Sequence, residues 1–520
     1  MNMGDVLRRS ANKFPEKDAL VFGDRVISYR DLNGRVNRLA NSLLKIGIQK
    51  GDRVAVLLHN CPEIIETYYT SAKIGTTFVP INNLLKQKEL KEILEYVSPR
   101  VLIIDPEYAE TIESLRDSLE FIEFFIGLRS VSLPHFEAYD MMIQQGNPEE
   151  PEAHVSDDDV MNMLLTSGTT GRPKGVLRTH RQNFINATTE AIEQKMDYDD
   201  RALFLAPPYH VTIESVFCRH VLMANTIVLL REGKFDSKKV LETLSRERIT
   251  MLQLVPTTIN ALIQEENIDR HDLSHLRLLM YAASPMPAAL LRRAIKKLKC
   301  QFMQLYGQTE TGPYTTTLRP EDHVAEGSKT QLARLASAGR PVLDYEVRIV
   351  DEKGEDVPVD EVGEIIVKSE ANSIGYWNLP EETAKTLKGG WLYTGDMGKF
   401  DEGGYVYLVD RKHDMIISGG RNIYPRELEE VLYQHKAVLE AAVIGVPDDY
   451  WVEAVKALVV LKDGMQATEE EIIDFCKKNL ASYKKPRSVE FWRELPKSAT
   501  GKFLKRQIRE KYWKGMDRRV

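Results

Sequence analysis

The stretch "SYRDLNGRVNRLANSLLKIGIQKGDRVAVLL", residues 28–58, decides the fold class because it places an amphipathic helix directly before a buried strand. Ser28 and Asp31 form a helix-start signal, and apolar residues follow at helical spacing until Gly47. Residues 53–58 are a short β-branched apolar run, which is typical of a buried strand. The same order recurs in "KKVLETLSRERITMLQLVP" and "PAALLRRAIKKLKCQFMQLYG". This repetition predicts layered α/β structure with largely parallel strands.

The pattern changes twice further along the chain. After about residue 340, short strands separated by Gly and Asp predict a small β-rich subdomain. Beyond Arg411 an α+β pattern follows, which includes a helix opened by a Thr468/Glu471 capping box. We therefore expect a large N-terminal domain over residues 1–410 and a small α+β C-terminal lid domain over residues 411–520.

The bulk composition is that of a soluble globular protein. No apolar stretch is long enough to span a bilayer, and a net charge of -7 argues against a dedicated nucleic-acid binder. The four cysteines, Cys61, Cys218, Cys300 and Cys476, are too far apart for metal-binding pairs or a compact disulfide framework. We expect a cytoplasmic protein with no signal peptide and no integral membrane segment.

Positive charge is concentrated at the C-terminal end of the chain. The last forty residues hold 13 basic and 4 acidic side chains. Such a stretch is either a solvated basic surface or a site for a polyanionic cofactor, and charge alone favours the first interpretation.

The segment "LLTSGTTGRPKGV", residues 164–176, follows a predicted strand over residues 160–165. Its Gly, Ser and Thr residues allow backbone N–H groups and hydroxyls to converge on an anion. The segment is not a Walker P-loop, because Lys174 is followed by Gly175 where that motif has Ser or Thr. Taken alone, the pattern fits either a phosphate-binding loop or a plain surface turn.

This loop resembles the phosphate-binding signature of the adenylate-forming enzymes: acyl- and aryl-CoA synthetases, peptide-synthetase adenylation domains and firefly-type luciferases. Further segments resemble the other motifs of that superfamily and occur in its order: "QLYGQTE" (304–310), "WLYTGD" (391–396), "VDRKHDMIISGGRNIYPRELEE" (409–430) and "LPKSATGKFLKR" (495–506). The resemblance covers the whole chain and is greatest to bacterial fatty acyl-CoA ligases.

The resemblance implies a two-step ligase reaction. The substrate carboxylate attacks the α-phosphorus of ATP, which releases pyrophosphate and leaves an acyl-adenylate, and the thiol of coenzyme A then displaces AMP. This scheme needs no protein nucleophile, and the sequence has no convincing Ser-His-Asp or Cys-His arrangement. The implied cofactors are ATP, Mg²⁺ and coenzyme A, and the implied lid domain is mobile, turning between the two steps.

The resemblance also implies the site residues. Glu310 is the implied Mg²⁺ ligand, since Mg²⁺ takes hard oxygen donors. The implied catalytic residues are Lys502, Glu310, Thr166 and His210. The implied nucleotide- and CoA-binding residues are Thr166, Ser167, Gly168, Thr169, Thr170, Gly171, Lys174, Ala283, Ser284, Tyr306, Gly307, Gln308, Thr309, Asp396, Arg411, Ser418, Gly419, Gly420, Tyr483 and Lys485.

Several of these residues have a specific implied role. Tyr306 would stack on adenine, Asp396 would bind both ribose hydroxyls, and Arg411 would contact ribose or phosphate. Ser418, Gly419 and Gly420 would line the passage for pantetheine, and Tyr483 and Lys485 would bind the nucleotide of CoA. His413 stands where relatives commonly have Asp or Lys, and we hypothesise that its protonation biases the orientation of the lid.

The acid substrate is the least specified part of the prediction. The segments 207–217 and 281–287 are implied to line the acyl pocket, with the candidates Pro208, Tyr209, His210, Ala282 and Ala283. The resemblance ranks medium- or long-chain fatty acids first, aryl acids second and carnitine-like acids third. The alternative function is a stand-alone adenylating enzyme that loads a carrier protein. A homodimer is left open, and no nucleic-acid partner is expected.

Overall fold

The computed structural model describes residues 1–129, 135–166, 173–231, 233, 235–284, 286–411, 414–418, 421–448, 450–481, 483–497 and 503–514. In chain order the helices are α1 (Met3–Lys13), α2 (Tyr29–Lys45), α3 (Pro62–Ile74), α4 (Gln87–Val97), α5 (Ala109–Leu115), α6 (Tyr139–Gln145), α7 (His180–Glu193), α8 (Thr212–Leu222), α9 (Ser237–Arg246), α10 (Pro256–Gln264), α11 (Ala288–Leu298), α12 (Lys329–Arg334), α13 (Pro380–Thr386), α14 (Pro425–Leu432), α15 (Glu469–Asn479) and α16 (Lys505–Glu510).

The strands, again in chain order, are β1 (Asp18–Phe22), β2 (Arg25–Ser28), β3 (Arg53–Leu57), β4 (Thr77–Pro80), β5 (Val101–Ile104), β6 (Phe124–Gly127), β7 (Phe136–Ala138), β8 (Val160–Thr166), β9 (Lys174–Thr179), β10 (Arg201–Phe204), β11 (Thr226–Leu229), β12 (Met251–Leu254), β13 (Leu278–Tyr281), β14 (Gln301–Gln308), β15 (Gly312–Leu318), β16 (Arg340–Pro341), β17 (Glu346–Val350), β18 (Gly363–Lys368), β19 (Gly375–Tyr376), β20 (Leu387–Lys388), β21 (Trp391–Phe400), β22 (Val406–Arg411), β23 (Ile416–Ser418), β24 (Arg421–Ile423), β25 (Val438–Asp448), β26 (Val452–Leu461) and β27 (Ser488–Phe491).

Two large sheets form the N-terminal domain. Their strand orders are β19-β9-β8-β4-β3-β5-β6-β7 and β16-β15-β14-β13-β12-β10-β11-β1-β2. The central strands pair in parallel in both sheets. Short apolar runs form these strands, and both faces of such a strand are covered; all four residues of β5 are buried. The predicted layered α/β architecture is confirmed.

Helices between the two sheets build the largest buried core. The Tyr68 ring of α3 lies 5.2 Å from the Phe78 ring of β4 and 5.9 Å from the Phe217 ring of α8. Edge-on contacts of this kind are favourable between aromatic rings. The core therefore joins α3 and α8 to strands of both sheets.

The carboxyl ends of strands from both sheets meet at one edge of the domain. Asn60, which follows β3, donates to the carbonyl oxygens of Ala206 and Leu230 at 2.9 and 3.1 Å. Those two residues follow β10 and β11 of the other sheet. Ligands of open α/β sheets bind outside the carboxyl ends of the strands, so this edge is where a site is expected.

Local signals read from the sequence are present as expected. The Ser28 side chain accepts a hydrogen bond from the Asp31 amide at the start of α2, and Gly47 beyond its end has φ +91°. Thr468 and Glu471 form the capping box of α15.

Two smaller sheets follow in the chain. The third sheet has the order β17-β18-β21-β20 with β22 paired to β21, and it confirms the predicted β-rich subdomain. The fourth sheet has the order β24-β23-β26-β25 with β27 paired to β26, and it forms the small C-terminal domain. The change from the third sheet to the fourth falls between Arg411 and Ile416. The division at residues 410 and 411 stays a prediction.

In the described ranges, no helix is both long enough and apolar enough to cross a bilayer. The four cysteines form no disulfide, and Cys61, Cys218 and Cys476 are buried.

Candidate active site

The strands β8 and β9 fix both ends of the predicted phosphate-binding loop. Thr166 and Lys174 are paired residues of this antiparallel ladder, and the Thr166 hydroxyl donates to the Lys174 carbonyl oxygen at 3.4 Å. The loop therefore starts and ends at one place beside the sheet. Ser167, Gly168, Thr169, Thr170 and Gly171 lie outside the described residues.

A tyrosine connects the end of this loop to Glu310. The Lys174 ammonium lies 5.0 Å from the centre of the Tyr376 ring and 2.7 Å from Glu382 Oε2. The Tyr376 hydroxyl donates to Glu310 Oε1 at 3.0 Å. Hydrogen bonds from Lys174 and then Lys385 lower the pKa of Glu382 to about 2. Lys174 and Glu310 therefore belong to one polar cluster, although they are far apart in the chain.

Glu310 has the donor chemistry for Mg²⁺ that arrives with a nucleotide. Its position is fixed by a hydrogen bond from the Ser373 amide to the Glu310 carbonyl oxygen at 2.8 Å. Across the described residues, no group of three or more His, Cys, Asp and Glu side chains could hold a metal ion. Protein sites for Mg²⁺ commonly supply one or two carboxylates and leave the other positions to phosphates and waters. The Glu310 carboxylate is therefore of the donor type that a nucleotide-borne Mg²⁺ takes.

The implied adenine and ribose residues form a second cluster around Asp396. The Tyr306 hydroxyl and the Gln308 amide nitrogen donate to Asp396 Oδ2 at 2.9 and 2.7 Å. Arg411 Nε lies 3.2 Å from Asp396 Oδ1, and the two residues are paired across β21 and β22. Burial, followed by the Asp396 charge, raises the pKa of Tyr306 well above its ordinary value. The structure thus brings together four residues that the sequence motifs predicted.

Glycine is required at position 307 between these clusters. A Cβ atom there would lie 2.3 Å from the Gly312 carbonyl oxygen, because β14 and β15 approach closely at their turn. The backbone at Ala283 is also unusual, with φ +71°, a left-handed conformation that costs energy for alanine. Such strain is common at functional sites. Ser284 follows directly, so both implied nucleotide-binding residues lie on a strained turn after β13.

Of the implied acyl-pocket residues, Pro208, Tyr209 and His210 lie just before α8, and Ala282 and Ala283 follow β13. His210 Nδ1 and the Thr212 hydroxyl are 2.7 Å apart, and Pro208 is buried. Ala282 packs against a buried, methionine-rich apolar cluster that includes Met251 and Met280.

Sequence reasoning missed Arg178, a fully buried residue of β9. Its Nε lies 2.8 Å from Glu214 Oε1 in a buried ion pair. Its Nη atoms donate to the carbonyl oxygens of Thr309 at 3.3 Å and Ala371 at 3.0 Å. Arg178 therefore holds the backbone next to Glu310. The available signal was a charged residue inside the otherwise apolar strand "GVLRT". Tyr376 was missed as well.

Two family models match the chain. The family model for AMP-binding enzymes matches residues 7–377, and the model for the AMP-binding enzyme C-terminal domain matches residues 427–502. The chain belongs to the AMP-binding enzyme family.

Similar proteins in this family align over nearly their whole length. The chain is 38% identical to a feruloyl-CoA synthase of Amycolatopsis sp over 504 residues, which are 97% of this chain and 98% of the relative. It is 34% identical to the long-chain-fatty-acid–CoA ligase FadD13 of Mycobacterium tuberculosis over 518 residues, 98% of both chains. The crystal structure of the anthranilate CoA ligase AuaEII in complex with anthranoyl-AMP matches with a TM-score of 0.88 and 30% identity, covering 98% of this chain and 97% of that one.

The C-terminal domain of this AMP-binding enzyme carries part of the implied CoA site. Ser418 is buried at the end of β23, where it pairs with Val452 of β26. Tyr483 is 40% exposed and Lys485 is half-buried. Gly419, Gly420, Lys502 and His413 lie outside the described residues. The structure therefore describes only part of the implied CoA-binding set.

The basic C-terminal stretch pairs largely with carboxylates of its own domain. The contacts are Lys484 with Glu427, Lys497 with Glu440, Lys505 with Glu429, Arg509 with Asp414, and Lys511 with Glu490. Much of its charge therefore stabilises the domain.

Proposed function

We propose that this AMP-binding enzyme joins an aromatic carboxylic acid to coenzyme A through an acyl-adenylate, releasing pyrophosphate and AMP. ATP-dependent acid–CoA ligation through an adenylate follows from membership of the family and from its acyl- and aryl-CoA ligase relatives. The aromatic choice rests on one observation: the 38% identity to a feruloyl-CoA synthase over nearly the full length of both chains.

The proposed roles of the nucleotide residues follow the two polar clusters. Thr166 and Lys174 with the loop between them would hold the phosphates, and Glu310 would hold Mg²⁺, which supplies positive charge to the phosphate oxygens when it is bound. Asp396, which already accepts hydrogen bonds from Tyr306 and Gln308, would bind the ribose. These residues would orient the nucleotide, and Lys174 with the bound Mg²⁺ would neutralise its charge, which is the main work of phosphoryl-type transfer.

The second half of the reaction depends on the C-terminal domain. We assign Lys502 to stabilising charge during adenylate formation, and Ser418, Gly419 and Gly420 to the pantetheine passage. Tyr483 and Lys485 would bind the nucleotide of CoA. The C-terminal domain would turn between the two steps about the segment 410–414, which begins at the end of β22.

A medium- or long-chain fatty acid is the second candidate substrate. It is favoured by the 34% identity to FadD13, again over 98% of both chains. The fatty-acid preference expected from the motifs thus becomes the alternative.

A panel of acids tests both candidates. Benzoate, cinnamate, 4-hydroxycinnamate, octanoate, hexadecanoate and carnitine are assayed with MgATP, with and without CoA, for pyrophosphate, AMP and thioester. We expect thioester formation to be fastest with an aromatic acid. The Lys502→Ala variant should lose adenylate formation but still convert pre-made acyl-adenylate to thioester. Pyrophosphate release that does not respond to CoA, or no turnover with any acid, would contradict the proposed function.

A further inference from the structure

A buried polar group lies where α8 faces strand β12. We call it the distal polar group; it consists of Glu190, Ser215, Arg219 and Gln253. Arg219 Nη1 lies 2.7 Å from Glu190 Oε2 and also donates to the Ser215 hydroxyl, which in turn donates to Glu190 Oε2 at 2.7 Å. Arg219 Nη2 donates to Gln253 Oε1 at 3.5 Å. The side chains of Arg219 and Glu190 are 1% and 0% exposed.

This group has unused hydrogen-bonding capacity. Within the described part of the chain, Arg219 Nε and Glu190 Oε1 are buried without a hydrogen-bond partner. Buried polar atoms of this kind are uncommon, because each costs free energy unless water or a ligand satisfies it. Gln253 must turn its oxygen to Arg219, since a guanidinium only donates hydrogen bonds. Its amide nitrogen is then left to donate, and Gln253 is only half-buried.

The helix α8 connects this group to His210, which precedes the helix and which the resemblance implies to lie near the substrate carboxylate. Thr212, Ser215 and Arg219 are separated by three and then four residues, so they lie along one face of α8. Seven residues of helix separate Thr212 from Arg219, which is a distance of about 10 Å.

Strand β12 lies opposite α8 at this group, where Gln253 accepts the hydrogen bond from Arg219. Residues of a strand alternate between its faces, so Gln253 shares a face with Met251 on β12. Met251 belongs to the apolar cluster against which Ala282 packs, and Ala282 is an implied acyl-pocket residue. Gln253 therefore lies on the sheet face that carries Ala282.

We propose that the distal polar group closes the acyl pocket at the end opposite the carboxylate and selects an acid with an oxygen substituent there. This inference rests on the proposed function and names the substrate class more narrowly. The Gln253 amide donates to the substituent oxygen. An unbranched alkyl chain offers no acceptor, so the Gln253 amide would stay without a hydrogen bond. The buried ion pair of Arg219 and Glu190 would also block a longer chain. Sites built to hydrogen-bond a substrate oxygen discriminate strongly against analogues that lack it.

Paired acids of equal length test the assignment. In the wild-type enzyme, kcat/KM for CoA-thioester formation should be at least tenfold higher with 4-hydroxycinnamate than with cinnamate. Gln253→Leu removes the donor at similar side-chain size, and the ratio should fall towards one. Gln264→Leu, an exposed position on α10, is the matched control and should keep the wild-type ratio.

A second variant tests the ion pair without leaving an unpaired buried charge that could unfold the protein. Arg219→Ala would leave Glu190 buried and unpaired, so both charges are replaced together in Glu190→Leu/Arg219→Met. This variant should raise kcat/KM for octanoate at least tenfold, with folding checked by circular dichroism.

The outcomes separate the two proposals. Thioester formation with an unchanged substrate ratio in Gln253→Leu would overturn the role of the distal polar group alone. Wild-type turnover of hexadecanoate equal to that of 4-hydroxycinnamate would overturn that role together with the aromatic choice of substrate, but not the ligase activity. No thioester with any acid would overturn the proposed function, and this inference with it.

Discussion

At the scale of single residues, the hydrogen bond from Tyr376 to Glu310 is the contact that bears most directly on the proposed Mg²⁺ ligand. The tyrosine hydroxyl donates to Glu310 Oε1, and its ring lies below the Lys174 ammonium. Burial, followed by the Glu310 charge, raises the pKa of Tyr376 above its ordinary value, so the hydroxyl keeps its proton at neutral pH. Tyr376 is a positioning residue for the proposed Mg²⁺ ligand.

Removing this hydroxyl should weaken the use of Mg²⁺. In Tyr376→Phe we expect the Mg²⁺ concentration for half-maximal pyrophosphate release to rise roughly tenfold, because a hydrogen bond to a charged group contributes ~1.5 kcal/mol. MgCl₂ titrations at fixed ATP and acid measure the change. Tyr407→Phe, whose hydroxyl donates to Asp401 at 3.3 Å, is the control. Equal Mg²⁺ requirements in the two variants would refute the positioning role.

Sequence motifs predicted the residues of this site better than the contacts between them. Tyr306, Gln308 and Asp396 were predicted because each stands in a short segment with recognisable spacing. Arg178 was not, because its partners at residues 214, 309 and 371 come from three distant segments. A single sequence does not show that these three segments contact Arg178 in the folded chain.

At the scale of elements, Arg178 joins β9 to α8 and to the segments that follow β14 and β18. The ion pair with Glu214 is 0% and 1% exposed, and Asn162 of β8 donates to Glu214 Oε2 at 2.9 Å. All of the polar contacts of this pair are made inside the protein, so removal of one partner leaves the other without compensation.

Loss of the arginine alone should destabilise the N-terminal domain strongly. We expect Arg178→Met to lower the free energy of unfolding by about 3–5 kcal/mol, and Arg178→Met/Glu214→Leu to lower it less, because the double variant leaves no unpaired charge. Urea unfolding followed by fluorescence gives these values. Arg181→Met, whose side chain is 44% exposed, should change stability by no more than ~0.5 kcal/mol. A double variant as unstable as the single one would count against the ion-pair explanation.

Helices and strands were predictable where periodicity and caps agree, but their neighbours were not. α2 and α15 follow their capping signals. In contrast, β1 pairs in parallel with β11, so that Leu20 is opposite Ile227. An apolar strand pattern states which faces are buried and does not state which strand lies alongside. The order of the strands within each sheet could therefore not be predicted from the sequence pattern.

At the scale of the whole molecule, burial of neutral histidines makes stability depend on pH. His180, His220 and His323 are buried in different parts of the N-terminal domain. Burial is the main cause that lowers their pKa values, to about 4 for His180, about 3 for His220 and about 4 for His323. His323 accepts a hydrogen bond from Tyr281 and donates to the Arg319 carbonyl oxygen, at 3.0 and 2.8 Å.

These histidines should make the stability of the enzyme fall already at pH values above the pKa values of its carboxylates. Between about pH 6.5 and 4 each ring is neutral in the folded chain and protonated in the unfolded chain, so unfolding takes up protons and stability falls as the pH falls. His323→Gln can keep both hydrogen bonds without titrating, and it should remove up to about 3 kcal/mol of this decline. Urea unfolding at several pH values from 4.5 to 7.5 measures the slope, and the exposed His154→Gln is the control. If His323→Gln keeps the wild-type slope, the buried ring at position 323 does not contribute to the acid sensitivity.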